Sequence, residues 1–174
     1  MKHYQIPISN HFFFLQLINF TDDKLEVKEV AVVGLLKGSI SHWIISPPCE
    51  FSMLSKIARH HSTNNTMREH NLCWMDGQSS FEKVNECVRE ITRRGDIYVD
   101  GDHAKIRYIE NIIGRNIISL EKTKIPSFKR LRMNEEVSLC GFHCARVEKK
   151  TNCALQRALL ARASLTRTSK VETS

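Results

Sequence analysis

The residues with the clearest chemical potential lie near the C-terminus, in the segment Cys140-Gly-Phe-His143 and at Cys153. Two thiolates and one imidazole, brought together where a loop enters an apolar, helix-like run, form three quarters of a tetrahedral zinc shell. Cys144 adjoins His143 and could replace one of these ligands, although neighbours in sequence usually point in different directions. A fourth ligand must come from elsewhere in the chain, as a carboxylate, a thiol or an imidazole.

A second polar cluster, formed by Asp100, Asp102 and His103, follows a predicted strand. Strand ends in open α/β sheets commonly hold binding sites, so these side chains could bind a metal or act as acid and base. The simpler interpretation is a polar turn in which Asp102 caps the following helix. The cysteines upstream of residue 90 have no Cys-His-Asn pattern around them and are expected to pack in or near the core.

A chain of 174 residues suits one compact domain that buries about two thirds of its unfolded surface. No apolar run approaches the roughly 20 residues of a membrane span. The apolar patch from Phe12 to Ile18 lacks the small-residue cleavage site of a signal peptide. We therefore predict an intracellular protein, cytoplasmic or nuclear, in preference to a secreted one whose six cysteines form disulfides.

The formal net charge of +7 indicates either an ordinary solvated surface or a surface adapted to phosphates or acidic partners. The positive residues concentrate in the segment from residue 122 to residue 150 and in the C-terminal tail. No aromatic platform for nucleic-acid bases accompanies them in the sequence. The candidate RNA-binding residues are Lys124, Lys129, Arg130, Arg132, Arg146 and Lys149.

Hydrophobic periodicity and turn residues predict the secondary structure. Three strands at the N-terminal end are joined by turn-like residues and form an antiparallel meander. Amphipathic helices and short strands then alternate, with glycines after the helices. The predicted strands are 11–20, 27–36, 40–46, 96–99 and 116–120, and the predicted helices run from Ser79 or Ser80 to Gly95, over 104–113 and over 153–163.

The order β-β-β-α-β-α-β-α is the layout of ribonuclease-H-like domains. A helix between two strands with no room for a hairpin implies a parallel crossover, so parallel strands should extend the meander, with helices on both faces. The predicted fold class is α/β, with an RNase H-like (DnaQ exonuclease-like) mixed sheet. We predict one zinc-stapled domain at 1–163 and a flexible basic tail at 164–174.

The chain resembles the Maelstrom domain, a metal-binding relative of DEDD-type 3′–5′ exonucleases, and related arthropod proteins. The resemblance is carried by the Cys140-x-x-His143 and Cys153-Ala-Leu block together with Glu29 on the second strand. It extends, more weakly, from about residue 11 to residue 160. It implies one structural zinc ion in a closed shell that leaves no position for a catalytic water. The implied zinc ligands are Glu29, Cys140, His143 and Cys153.

The chain also departs from the patterns of these relatives. The arthropod proteins often have a cysteine before the proline at 126, whereas this chain has Ile125. Active exonucleases of this fold hold two magnesium ions with an Asp-x-Glu on the first strand and with further aspartates. Here the first strand carries Leu15-Gln16-Leu17, and Lys105 falls where a later aspartate would lie. Two-metal exonuclease chemistry is therefore not expected.

Three functions are compatible with these observations. The first, implied by the resemblance, is a catalytically degenerate nuclease fold that binds single-stranded RNA or an RNA-silencing protein. The second is a weak, metal-independent RNA endonuclease that uses Lys124, Lys129 and Arg132 with Glu135. The third is a protein-interaction scaffold of a mobile element or virus. Salt-dependent RNA affinity distinguishes the first two from the third.

Overall fold

The structure, a computed structural model, describes residues 11–21, 24–35, 39–66, 71–99, 103–120, 140 and 153–171. Three consecutive strands are followed by helices that alternate with two further strands, and the predicted α/β class is confirmed. The strands are β1 (His11–Thr21), β2 (Lys24–Gly34), β3 (Ile40–Ile44), β4 (Ile97–Val99) and β5 (Ile118–Ser119). The α-helices are α1 (Lys56–His61), α2 (Phe81–Ile91), α3 (His103–Ile113) and α4 (Ala154–Val171).

The described strands form one sheet in the order β3-β2-β1-β4-β5. β1 pairs antiparallel with β2, and β2 pairs antiparallel with β3, so consecutive strands form a meander. On its other edge β1 pairs parallel with β4, which in turn pairs parallel with β5. β1 is therefore the strand at which the antiparallel half of the sheet meets the parallel half.

One face of β2 packs against α2 and α3. Alternate residues of a strand point to opposite faces, which places Val30 and Val32 on the same side. They form a buried cluster with Val84 and Val88 of α2 and Ile109 of α3. This cluster forms the core on the first face of the sheet.

The opposite face of β2 packs against α4. Ala31 and Val33 lie in a second buried cluster with Ala154, Ala158 and Ala161. The three alanines recur at intervals of four and three residues, so they lie on one stripe of the helix. Their small side chains allow the helix to approach the sheet closely. This packing brings the N-terminal end of α4 to the same face of β2 that carries Glu29.

Local sequence signals account for the ends of two helices. Ser80 caps α2, where its side-chain oxygen accepts a hydrogen bond from the backbone N–H of Lys83 at 3.4 Å. Gly95 and Gly114 have φ of 87° and 75°, the left-handed conformation common after helices. α4 instead extends to Val171, past the predicted end near Ala163, because no glycine or proline interrupts it. The domain boundary at residue 163 stays a prediction.

A β-bulge on β2 sets the environment of Lys28. In the register with β1, Gln16 pairs with Glu29 and Leu17 pairs with Val27, which leaves Lys28 as the extra residue. Lys28 is 2% exposed and therefore cannot be solvated by bulk water. A buried ammonium needs replacement hydrogen bonds from the protein.

Backbone carbonyl groups supply these hydrogen bonds. Lys28 Nζ donates to the carbonyl oxygens of Ile45 at 3.0 Å and Trp74 at 2.5 Å, and also to that of Asp76. The indole ring of Trp74 adds a cation–π contact, with Nζ 6.0 Å from the ring centroid. The three donors of the ammonium are thus matched by three acceptors from two separate segments of the chain.

Gly77 allows the loop that carries two of these carbonyls to lie against Ile45. Its φ is 122°, and a Cβ at this position would lie 2.4 Å from the backbone carbonyl of Ile45. Beyond it, Gln78 N donates to the carbonyl oxygen of Ile44 at 3.2 Å, which continues the contact with the end of β3. No helix within the described ranges is long and apolar enough to span a bilayer.

We predict that Lys28→Met lowers the free energy of unfolding by about 2 kcal/mol at pH 7, because buried carbonyls lose their donor. Burial lowers the pKa of Lys28 from 10.5 to about 8, with the Asp76 carboxylate and Cys73 acting in the opposite direction. Between pH 8 and pH 10.5 the unfolded chain therefore binds more protons than the folded chain. The contribution of Lys28 to stability should therefore rise with pH over this interval, by at most about 1.4 kcal/mol per pH unit.

Urea denaturation between pH 7 and pH 11 measures both effects. Relative to Lys28→Met, the unsubstituted protein should gain stability as the pH rises above 8. Lys56→Met, which replaces an exposed lysine at the start of α1, is the matched control and should follow the pH profile of the unsubstituted protein. Identical pH profiles for the two variants would contradict the assignment.

Candidate metal centre

Glu29 occupies the middle of β2, between two neighbouring strands. It pairs with Gln16 of β1 and with Ile44 of β3, and none of its surface is exposed. Its side chain shares a face with Ala31 and Val33, which is the face that α4 covers. An ionised carboxylate in such a position requires a compensating positive charge or several hydrogen bonds.

His42 of β3 contacts this carboxylate. It pairs with Ala31, two residues from Glu29, so both side chains project from the same face of adjacent strands. His42 Nε2 lies 2.7 Å from Glu29 Oε1. The side chain of His42 is 14% exposed, which places the imidazole at the edge of the buried region.

Two cysteines complete the group. Cys153 precedes α4 and is fully buried, and its carbonyl oxygen accepts the first-turn hydrogen bond from Arg157 N at 3.1 Å. Its Sγ lies 3.4 Å from Glu29 Oε1 and 3.5 Å from Cys140 Sγ. Cys140 is also buried. None of the cysteines in the described ranges forms a disulfide; these are Cys49, Cys73, Cys87, Cys140 and Cys153.

This arrangement could bind a metal ion. The ligand atoms of His42, Cys140 and Cys153 all lie within 4.8 Å of one another. Among the described residues, none offers a hydrogen bond to Glu29 Oε2, although this oxygen is buried. Buried carboxylate oxygens without a partner are rare and call for an explanation. A cation between the carboxylate and the thiols would supply one.

The separations of the ligand atoms fit a tetrahedral zinc ion. Zinc binds sulfur at about 2.3 Å, so two sulfurs of one tetrahedral shell lie about 3.8 Å apart. The observed separation between Cys140 Sγ and Cys153 Sγ is 3.5 Å. Two sulfurs, a nitrogen and an oxygen also form a donor set that favours zinc over magnesium or calcium.

The electrostatics of Cys153 are unfavourable to a thiolate when no cation is bound. Its hydrogen bond with Cys140, its burial and the charge of Glu29 together raise the pKa of the Cys153 thiol. A coordinated metal reverses this preference, because it deprotonates the thiols that bind it. The centre is therefore arranged for neutral thiols or for a bound cation, and it disfavours a reactive free thiolate.

The structure brings together three of the residues assigned to the metal site from the sequence, Glu29, Cys140 and Cys153. The fourth, His143, lies outside the described residues, as do Cys144, Asp100 and Asp102. His103 is the first residue of α3 and is exposed. The residues assigned to RNA binding also lie outside the described ranges: Lys124, Lys129, Arg130, Arg132, Arg146 and Lys149.

The sequence analysis assigned no role to His42. Its position beside Glu29 depends on the register between β2 and β3, in which Glu29 pairs with Ile44. The alternation of side chains along the two strands contains a signal for this contact. Residues 42 and 44 of β3 pair with residues 31 and 29 of β2, so all four side chains lie on one face of the sheet. Finding it would have required the register, which neither strand specifies alone.

Comparison with known proteins supports the fold. No protein-family model matches the chain, and no curated protein matches it. Among solved structures, the chain is similar to a full-length 3′-exonuclease, with a TM-score of 0.50 and 10% sequence identity. The similarity covers 94% of this chain but 60% of the exonuclease. The protein thus has a nuclease-like α/β fold with a His/Cys/Cys group that could bind a metal.

We predict that metal removal destabilises the protein. A metal ion whose free concentration is about a thousand times its Kd stabilises the folded state by about 4 kcal/mol. For a chain of this length, a strong chelator should therefore lower the Tm by at least about 8 °C. Glu29→Gln and Cys153→Ser should abolish the response to chelator, as measured by differential scanning fluorimetry under reducing conditions.

Cys87→Ser is the matched control for these substitutions. Cys87 is a half-buried cysteine of α2, outside the cluster, and its replacement should leave the response to chelator intact. An unsubstituted protein whose Tm does not change with chelator would contradict the metal centre.

Proposed function

We propose that the protein is a Maelstrom-like, catalytically degenerate nuclease-fold domain that holds a structural zinc ion and binds single-stranded RNA. The observation that carries this proposal is the buried cluster of Glu29, Cys140 and Cys153 on a nuclease-like fold. The ribonuclease-H-like (DnaQ exonuclease-like) assignment of the sheet belongs to the same proposal.

The proposed zinc ion would act as a cross-link. Glu29 and Cys153 are 124 residues apart in the chain and lie on β2 and before α4. Holding both would join the middle of the sheet to the start of the last helix. His143 is proposed as a further ligand on the basis of the resemblance alone. When bound, zinc would supply the positive charge that the buried carboxylate and thiolates require.

The sequence of β1 supports the absence of two-metal nuclease chemistry. None of the residues from His11 to Thr21 is an aspartate or a glutamate, although β1 is the central strand of the sheet. Lys105, at the position expected for a further aspartate of active exonucleases, lies in α3. Two magnesium ions need several carboxylates that meet at one point. The described residues offer such an arrangement neither on β1 nor at Lys105.

Charge supports RNA as the ligand. The formal net charge is +7, and six basic residues between 124 and 149 are the proposed phosphate contacts. Phosphate contacts release counterions, so RNA affinity should fall steeply with salt. If all six residues contact phosphates, affinity for a single strand should fall about 300-fold between 50 and 200 mM salt.

The experiment measures the Kd for a fluorescent single-stranded RNA at several salt concentrations by anisotropy. Lys124→Ala, Lys129→Ala and Arg132→Ala combined should weaken binding and reduce the slope of log K against log salt by about 2. A control with the same charge change combines Lys56→Ala, Lys83→Ala and Arg94→Ala, all at exposed positions in the described structure. This control should retain the slope of the unsubstituted protein.

Other outcomes would identify the alternatives. Binding that is absent, or unchanged between the two salt concentrations, would overturn RNA binding and favour a protein partner, in RNA silencing or as a scaffold of a mobile element or virus. RNA cleavage that survives chelation and disappears in the first triple variant would identify the metal-independent endonuclease.

A further inference from the structure

His42 reaches the centre from a different strand than any ligand proposed from the sequence. It lies on β3, and its ligand atom falls within 4.8 Å of the sulfurs of both Cys140 and Cys153. Its Nε2 is also 2.7 Å from Glu29 Oε1. The imidazole therefore faces both the carboxylate and the pair of thiols.

A simple ion pair between His42 and Glu29 does not account for the whole arrangement. Glu29 Oε1 has two neighbours, His42 Nε2 at 2.7 Å and Cys153 Sγ at 3.4 Å. Glu29 Oε2 has no hydrogen-bond partner among the described residues, although it is equally buried. A protonated imidazole would compensate the charge of the carboxylate but would not explain why two buried thiols meet beside the same carboxylate.

A metal ion bound directly by the imidazole, by the Glu29 carboxylate and by both thiols would instead account for the convergence of all four side chains. In a tetrahedral shell with bonds of about 2.0 to 2.3 Å, neighbouring ligand atoms are about 3.3 to 3.8 Å apart. The sulfur–oxygen and sulfur–sulfur separations of 3.4 and 3.5 Å lie in this range. The 2.7 Å between nitrogen and oxygen is shorter and would widen on binding. We infer that His42 is a direct ligand of the metal, in a shell with Glu29, Cys140 and Cys153.

This inference rests on the proposed zinc centre and places His42 in the fourth position of the tetrahedral shell, which the resemblance alone would give to His143. It also extends the cross-link to three parts of the fold. The ion would join β3, β2 and the start of α4, with the imidazole anchoring the outer strand of the meander. His42 is thereby distinguished from a residue that only orients Glu29 through a hydrogen bond.

Cobalt(II) in place of zinc provides a direct spectroscopic test on the full chain under reducing conditions. His42→Cys would replace a nitrogen ligand with a third thiolate. The thiolate-to-cobalt charge-transfer absorbance per bound ion should then rise by about half, because it scales with the number of sulfur ligands. A cysteine that lies outside the shell would leave this absorbance unchanged.

His42→Ala tests the same ligand by loss. Removing a residue that only supports a ligand typically costs about 10- to 100-fold in metal affinity. Removing a direct ligand should lower the metal affinity by more than about 100-fold, measured by competition with a chromogenic chelator. It should also change the d–d bands of cobalt. His42→Cys keeps a ligand atom at this position, so its charge-transfer absorbance still tests the inference if His42→Ala does not fold.

His103→Ala and His103→Cys are the controls, because His103 is an exposed histidine at the start of α3. Both should leave the affinity and the cobalt spectrum unchanged. Unchanged charge-transfer intensity in His42→Cys, with unchanged d–d bands in His42→Ala, would overturn the inference and leave His42 as a hydrogen-bond partner of Glu29. An unsubstituted protein that takes up neither cobalt nor zinc would overturn the zinc centre itself.

Discussion

The buried carboxylate of Glu29 is the constraint on which this part of the structure depends. It lies in the middle of a sheet, with no exposed surface, where an uncompensated charge costs several kcal/mol. His42, Cys140 and Cys153 come from three separate parts of the chain and meet around it. The alanine stripe of α4 makes this meeting possible, since it lets the helix pack closely enough to bring Cys153 to the carboxylate.

Glu29 and the preceding Lys28 are buried charges of opposite sign that are compensated separately. The bulge in β2 breaks the alternation of side chains, and Lys28 reaches the carbonyls of Ile45, Trp74 and Asp76. The described neighbours of the Glu29 carboxylate are the side chains of His42 and Cys153, which can both serve as metal ligands. The ammonium thus ties β2 to the loop before α2, and the carboxylate ties β2 to the residue that precedes α4.

The similarity to a 3′-exonuclease concerns the fold, while the polar groups of this protein point to a different use of it. The central strand β1 carries no carboxylate, which is the basis for proposing that two-metal chemistry is absent. The donors that the structure does bring together are two thiols, an imidazole and one carboxylate, a set suited to a single ion with a structural role.

Periodicity and turn residues in the sequence were sufficient for much of the secondary structure, because these signals are local. The Ser80 cap and Gly114 placed the start of α2 and the end of α3 to within one residue, whereas α2 ends at Ile91, before the Gly95 expected from the sequence. Cys140 and Cys153 were assigned from their residue type and spacing, whereas Glu29 was assigned from the family resemblance alone, since nothing near it in the chain marks it as a ligand. The bulge at Lys28 and the position of His42 were decided only by the tertiary structure. Both depend on the register between strands and on packing against distant segments, and the physical reason is that neither exists until the chain has folded.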